Sequence, residues 1–453
     1  MHPNEVVARA ATRPDRRDLL LASGLLVASL VVVLPYVLGD PGFFVDDWRN
    51  LARLDTVGWL RSAEASRFAS RPGAWAVETV LYPVLRDRAV AWVLALTLLN
   101  ASAAMAVLVA LRRFMSHRVA LAVVLVWIAL PNHTSLRVFA NVAPMVVGLL
   151  LLAIAVVLID SDRPVLGGLA VAGAGMCLEA MLLPGLVALV ALHRMRGRGD
   201  RRGVLIGAGL VVPTGALMLI HPTYSVSGAH RGTPVHVLPA HFGSGLTAIG
   251  WVGWVLGALA AVGVTAGVVQ FARGRRDPGN GPWLVMVGLM VMALGLAAFV
   301  LKWPVGSRGQ PDRNFALSSV GSAMVWVGVS TVIFRRGGGR LGAAVVAGVL
   351  LVHSNVAFQA DWSRSARDAR DMVLAVHCRF DGDPPPGLSV GPSVPIPGGV
   401  RPLHEFYVED ASRVLVGRPM RFELAEDPGE WVTAPPELRL TWRELLADEA
   451  CQR

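Results

Sequence analysis

Apolar runs long enough to cross a bilayer recur through the whole chain, and no soluble core can bury so many of them. Leu19 to Leu38 carries no charged side chain, and further apolar runs read as 88–111, 119–131, 139–160, 165–178, 180–193, 204–220, 246–272, 283–301, 315–334 and 341–358. Each must satisfy its own backbone N–H and C=O groups in hydrocarbon, which a helix does within one segment. Nothing alternates with the two-residue period of barrel strands. With 54% hydrophobic residues, 16% charged and a mean hydropathy of +0.54, the chain reads as an all-α polytopic membrane protein of about 11 transmembrane helices. The stretch 165–193 holds Pro184, and alternating crossings require two spans there, so it is split near Glu179.

Net charge is +10, yet the arginines sit in short clusters between apolar runs, which points to membrane topology and excludes a nucleic-acid partner. Arg112, Arg113 and Arg118, then Arg194 to Arg202, then Arg273 to Arg276, then Arg335 to Arg340 all fall on the side of Arg9, Arg13, Arg16 and Arg17. Basic loops face the cytoplasm, so the amino terminus lies inside and the carboxy terminus outside a multi-pass cytoplasmic membrane protein.

The first outer loop, 40–87, breaks the pattern by mixing arginines with acids. Trp48, Leu51 and Leu54, and then Val77, Val80, Leu81 and Val84, recur at helical spacing, so two interfacial helices are expected, separated at Arg71-Pro72. Beyond residue 358 charge rises and long apolar runs stop. The chain thus divides into a transmembrane domain, 1–358, and a small extracytoplasmic α+β domain, 359–453, with an opening amphipathic helix and strands expected within Val414 to Leu424. Cys378 and Cys451 share this outer segment, where a disulfide between them could form, whereas Cys177 lies in a span.

The most informative local feature is Phe43-Phe44-Val45-Asp46-Asp47-Trp48-Arg49, two adjacent carboxylates just beyond the first span. A carboxylate there can take a proton from a sugar hydroxyl while its neighbour binds a divalent metal or the acceptor. Asp also favours helix N-termini, so capping is the plain structural alternative.

An acidic pair in the first outer loop of a many-span protein resembles the GT-C glycosyltransferases, which include protein mannosyltransferases and arabinosyltransferases using polyprenyl-phosphate sugars. The resemblance implies Asp46 as the base, with Asp47 as metal or acceptor ligand for Mg or Mn. Cys177-Leu178-Glu179 leading to Pro184 is similar to the Lys-Glu then Pro pattern of that superfamily, with Leu178 where lysine is usual. Arg71-Pro72 also recurs there. Ser307 to Asn314 resembles its arginine-bearing late outer loop, so Arg71, Arg308 and Arg313 are expected to meet the donor phosphate. Glu179, His133 and Arg137 are further candidates, the last two as phosphate or sugar contacts. His221, His230, His236 and His241 lack a metal-ligand spacing and read as solvated loop residues.

The implied activity is inverting transfer of a sugar from a polyprenyl-phosphate carrier to a glycan, lipid or protein outside the membrane of a bacterial cell envelope. The bilayer, the lipid-linked sugar and the acceptor are the implied partners. A flippase of lipid-linked intermediates would bury polar groups midway through spans and show repeated halves, and a noncatalytic scaffold would not need both acids. No phosphate-cradling glycine loop or dinucleotide fingerprint occurs in a strand-turn-helix context.

Overall fold

The computed structural model describes residues 16–44, 46–57, 71–131, 133–178, 181–196, 205–212, 214, 250–275, 277, 280–300, 316–334, 337–391, 408–424, 435–441 and 444–445. In chain order the helices are α1 (Arg16–Leu38), α2 (Asp46–Val57), α3 (Pro72–Leu85), α4 (Ala89–Leu111), α5 (His117–Ala129), α6 (Ser135–Val138), α7 (Ala143–Asp160), α8 (Pro164–Cys177), α9 (Leu182–Arg196), α10 (Gly250–Ala272), α11 (Gly281–Val300), α12 (Ala316–Ile333), α13 (Gly337–Arg379) and α14 (Val408–Val416). Among the described residues, five helices are long and apolar enough to cross a membrane, and shorter apolar helices such as α5 and α8 pack with them.

Two helices are present between residues 40 and 87, as the apolar spacing there predicts: α2 and α3, with Arg71 and Pro72 at the start of α3. Proline suits that place because its missing N–H would have no partner in a first helical turn. The 165–193 stretch breaks near Glu179, where the sequence reading splits it: α8 ends at Cys177, Leu178 is extended, and α9 begins at Leu182.

Small residues let α11 and α12 approach closely. Gly281, Gly288 and Gly295 repeat every seventh residue, and a Cβ at Gly288 would stand 2.7 Å from the Gly321 carbonyl oxygen. Backbone contact of this kind is how helices associate when surrounding lipid is as apolar as their side chains.

Two departures from the sequence reading concern the carboxy-terminal segment. The last apolar run and the amphipathic helix after it form one 43-residue helix, α13, running past 358; no glycine or proline lies between Gly348 and Gly382 to break it. In place of strands from Val414, α14 continues to Val416 and only Glu423–Leu424 is extended. Glu409 and Asp410 occupy the first turn of α14, and Glu409 pairs with Arg413 one turn on at 2.9 Å, which favours helix. β1 (Ser389–Gly391), β2 (Glu423–Leu424) and β3 (Arg439–Thr441) make a parallel sheet in the order β2-β1-β3, with Ser389 beside Glu423 and Arg439.

The apolar core has two parts that matter for the acid pair. One lies within the helices and includes Phe44, Trp127, Phe139 and Trp362. The other joins Phe43, Trp48, Leu51 and Tyr82 of the 40–87 stretch to Val373, Val390, Val408 and Phe422 of the carboxy-terminal segment. The carboxy-terminal segment therefore packs its apolar surface against α2.

Candidate functional site

Local chain geometry first presents the two acids. Past α1, Asp40 adopts a left-handed conformation (φ 73°), turning the chain sharply, and its carboxylate meets Arg370 of α13 at 2.7 Å. The Tyr36 hydroxyl donates to the Gly42 carbonyl at 2.8 Å and closes the turn. Phe44 then inserts between Phe139 and Trp362, ring centroids 4.9 Å from each, and the Trp362 indole donates to Thr134 Oγ1 at 3.0 Å. Three edge-to-face rings fix the floor on which α2 starts.

The two carboxylates play different structural parts. Asp47 is fully buried and accepts backbone N–H bonds from Asn141 at 2.8 Å, Ala140 at 3.2 Å and Phe44 at 3.3 Å, plus the Tyr82 hydroxyl at 3.4 Å. Asn50 Nδ2 donates to Tyr82 Oη at 3.0 Å, extending the network. Burial pushes Asp47 up to about 7; the three backbone donors pull the other way, and the neighbouring Asp46 charge adds to the rise. Asp46 is half-buried, and Asn141 Nδ2 donates to its Oδ2 at 2.9 Å. One residue, Asn141, thus holds both acids, the buried one by its main chain and the accessible one by its side chain.

The fold of the chain is similar to that of ArnT from Cupriavidus metallidurans in the apo state, a GT-C glycosyltransferase, with a TM-score of 0.51 at 16% identity over 89% of this chain and 85% of that one. The chain has the GT-C fold. The oligosaccharyltransferase of Archaeoglobus fulgidus, solved tethered to an acceptor peptide containing an NVT sequon, aligns with a TM-score of 0.47 and 11% identity over 92% of this chain and 64% of its own. No family model and no curated protein matches the sequence.

Within this GT-C fold, the remaining candidates fall in different places. Arg71 is half-buried at the entry to α3. Arg308, Arg313, Glu179 and Cys451, with the histidines from His221 to His241, lie outside the described residues. Cys378 is disulfide-bonded and Cys177 is a free buried thiol.

His133 and Arg137 are both buried. The His133 ring stacks on Trp127 with centroids 5.4 Å apart, and Arg137 Nη2 lies 3.0 Å from His133 Nε2 and donates to the Ile128 carbonyl. Their neighbours Leu136, Val138 and Phe139 are buried as well, which draws the whole turn inward. The pair braces the turn that carries Asn141.

A divalent metal held by Asp47 does not fit this geometry. Four donors converge on its two oxygens and no part of it reaches solvent, whereas a cation needs lone pairs directed at it and, for Mg, room for its waters. No group of three or more His, Cys, Asp or Glu suited to a metal occurs among the described residues.

Asn141 is the site residue that the sequence reading missed. Its only local signal is its place three residues before Pro144, at the entrance of an apolar run, where it reads as an ordinary helix cap.

Proposed function

We propose that this protein transfers a sugar from a polyprenyl-phosphate donor to an acceptor outside the membrane, with inversion and with Asp46 as general base. The observation that carries the reading is the asymmetry of the acid pair: Asp47 is locked in a buried cage while Asp46 stands half-buried on the same helix start, steered by Asn141. A fixed neighbour and a reachable carboxylate are what proton abstraction from an acceptor needs.

In the step itself the acceptor oxygen forms a bond to the anomeric carbon as its proton passes to Asp46. The bond from that carbon to the phosphate oxygen breaks, and its electron pair leaves with the lipid phosphate. Arg71, with Arg308 and Arg313, would neutralise the growing phosphate charge. On this reading the basic loops lie in the cytoplasm, the acid pair and residues 359–453 lie outside, and the division at 358 is one of environment rather than of helix.

The test is transfer of radiolabelled sugar from polyprenyl-phosphate donors in membranes containing wild type, Asp46→Asn or Asp47→Asn at matched expression. Asp46→Asn should lose at least a hundredfold in kcat with unchanged thermal stability. Wild-type rates in Asp46→Asn would remove the base assignment, and no transfer by wild type with any donor would remove the enzyme reading.

A further inference from the structure

A slot of about 340 Å³ runs between α4, α7, α9, α11 and α12, and every residue lining it is apolar. On α11 it extends from Trp283 to Leu294, about 16 Å at 1.5 Å per residue, so its long direction follows the helices. Water does not fill such a space, because a buried water needs several polar partners and apolar cavities stay dry. Left empty, the slot would deprive its walls of packing contacts on one side. Hydrocarbon is the matter that surrounds membrane helices and suits those walls. Because α9 packs on both α7 and α11, no gap between them admits a further helix, roughly 10–12 Å across. A single hydrocarbon chain is the occupant that fits.

The slot lies toward the helix ends away from the acid pair. Asp47 is bonded by residues 140 and 141, just before α7, whereas the slot meets α7 at Leu149 and continues to Val156. On α4, Trp92 packs on Tyr82 with ring centroids 4.6 Å apart, and the slot begins at Val107, about 22 Å further along the helix. A bilayer's hydrocarbon core is about 30 Å thick, so that end belongs to the other leaflet. There Arg112 and Arg113 stand between Leu111 and Phe114, both of which line the slot. Arg113 is held by the buried Asp160 at 3.7 Å, whereas Arg112 meets the half-exposed Asp18 at 3.6 Å.

We infer that this slot binds the acyl chain of a membrane phospholipid from the leaflet away from the acid pair, with the lipid's phosphate at Arg112. A guanidinium donates paired N–H groups to phosphate oxygens, and an exposed ion pair such as Arg112 with Asp18 is weak enough to yield to them. The polyprenyl donor of the transfer reading would place its phosphate at Asp46, at the other end of these helices, so the slot serves a different lipid. This site rests on the membrane helices alone and stands whether or not the protein transfers a sugar.

The probe is phosphatidylglycerol carrying a diazirine in its acyl chain, photolysed with the full-length protein in phosphatidylcholine nanodiscs, with labelled peptides mapped by mass spectrometry. Label should concentrate on α9 from Val187 to Leu192 and on α11 from Trp283 to Leu294, above the level at Leu98, an exposed position on α4. Ala188→Phe and Ala191→Phe, which add a ring at lining positions, should each cut the slot label at least fivefold and leave the Leu98 label unchanged. Arg112→Gln should cut it at least threefold, and a tenfold excess of polyprenyl phosphate should not displace it. Slot label no denser than at Leu98, or wild-type label in both ring variants, overturns the site. Wild-type label in Arg112→Gln overturns the phosphate contact, and displacement by polyprenyl phosphate overturns the phospholipid and gives the slot to the donor's chain. Label density and displacement are read on wild type, so they decide the matter even where a ring variant fails to fold.

Discussion

Asn141 and Asp47 are the residues on which the geometry of the acid pair depends, and they separate cleanly by experiment. Asn141→Ala keeps the backbone N–H that binds Asp47 and deletes only the amide that holds Asp46 at 2.9 Å. The expected result is a fall in kcat of about tenfold, roughly 1.4 kcal/mol of lost positioning, with donor and acceptor KM unchanged. A rise in KM alone would instead make Asn141 a substrate contact. Asp47 predicts a pH signature in stability. Its carboxyl titrates near 7 in the folded chain against an ordinary 3.8, so the folded state binds more protons across that interval. Stability should therefore fall as pH rises from about 4 to about 7 and level off above, and Asp47→Asn should lack that slope in thermal unfolding followed from pH 4 to 8. The sequence shows two equivalent neighbouring acids. Which one is buried is decided by donors nearly a hundred residues away, at 140 and 141, and no local spacing encodes that.

Among elements, α3 couples the membrane helices to the acid pair, and one glycine permits it. A Cβ at Gly73 would stand 2.9 Å from the Met176 carbonyl carbon and 3.0 Å from Cys177 N, backbone atoms at the end of α8 that cannot swing aside. Gly73→Leu should lift α3 away from α8 at a cost of about 1–3 kcal/mol. Because α3 also carries Tyr82, which donates to Asp47, transfer should fall together with the thermal midpoint. Gly24→Leu, at a position in α1 with nothing within 4 Å, is the matched control and should leave both unchanged. Equal behaviour of the two variants would show that α3 is not braced in this way. Elements were also the most legible level in the sequence. Apolar run length and helical spacing located α1, α2, α3 and the α8–α9 break, because hydrocarbon and interface impose those patterns residue by residue. The continuity of α13 was less visible: its apolar half and its amphipathic half look like two elements, and only the missing breakers join them.

For the whole molecule, the carboxy-terminal segment packs against the start of α2. Arg49 of α2 approaches Asp410 of α14 at 4.0 Å, and Trp48 and Leu51 share a core with Val408 and Phe422. Composition marked the change at 358 but could not show this shared core, since each half of it looks like an ordinary apolar face. Cys378, at the end of α13, is disulfide-bonded, and Cys451 is the partner we propose, which would close a loop of 73 residues, from 378 to 451. In the chain-entropy account such a closure stabilises by about 4 kcal/mol. If that bond holds the carboxy-terminal segment down, reduction should free it without melting the membrane helices, because Cys378 is exposed at the end of α13. The measurement is limited proteolysis of the detergent-solubilised full-length protein with and without reductant, followed by the transfer assay and by circular dichroism. Reduction should expose cleavage sites after α13 and lower transfer, while helical signal stays near the oxidised value. Cys451→Ser should reproduce the reduced pattern without reductant; if it cleaves and transfers like wild type, the cap is held by its apolar contacts with α2 and not by the disulfide.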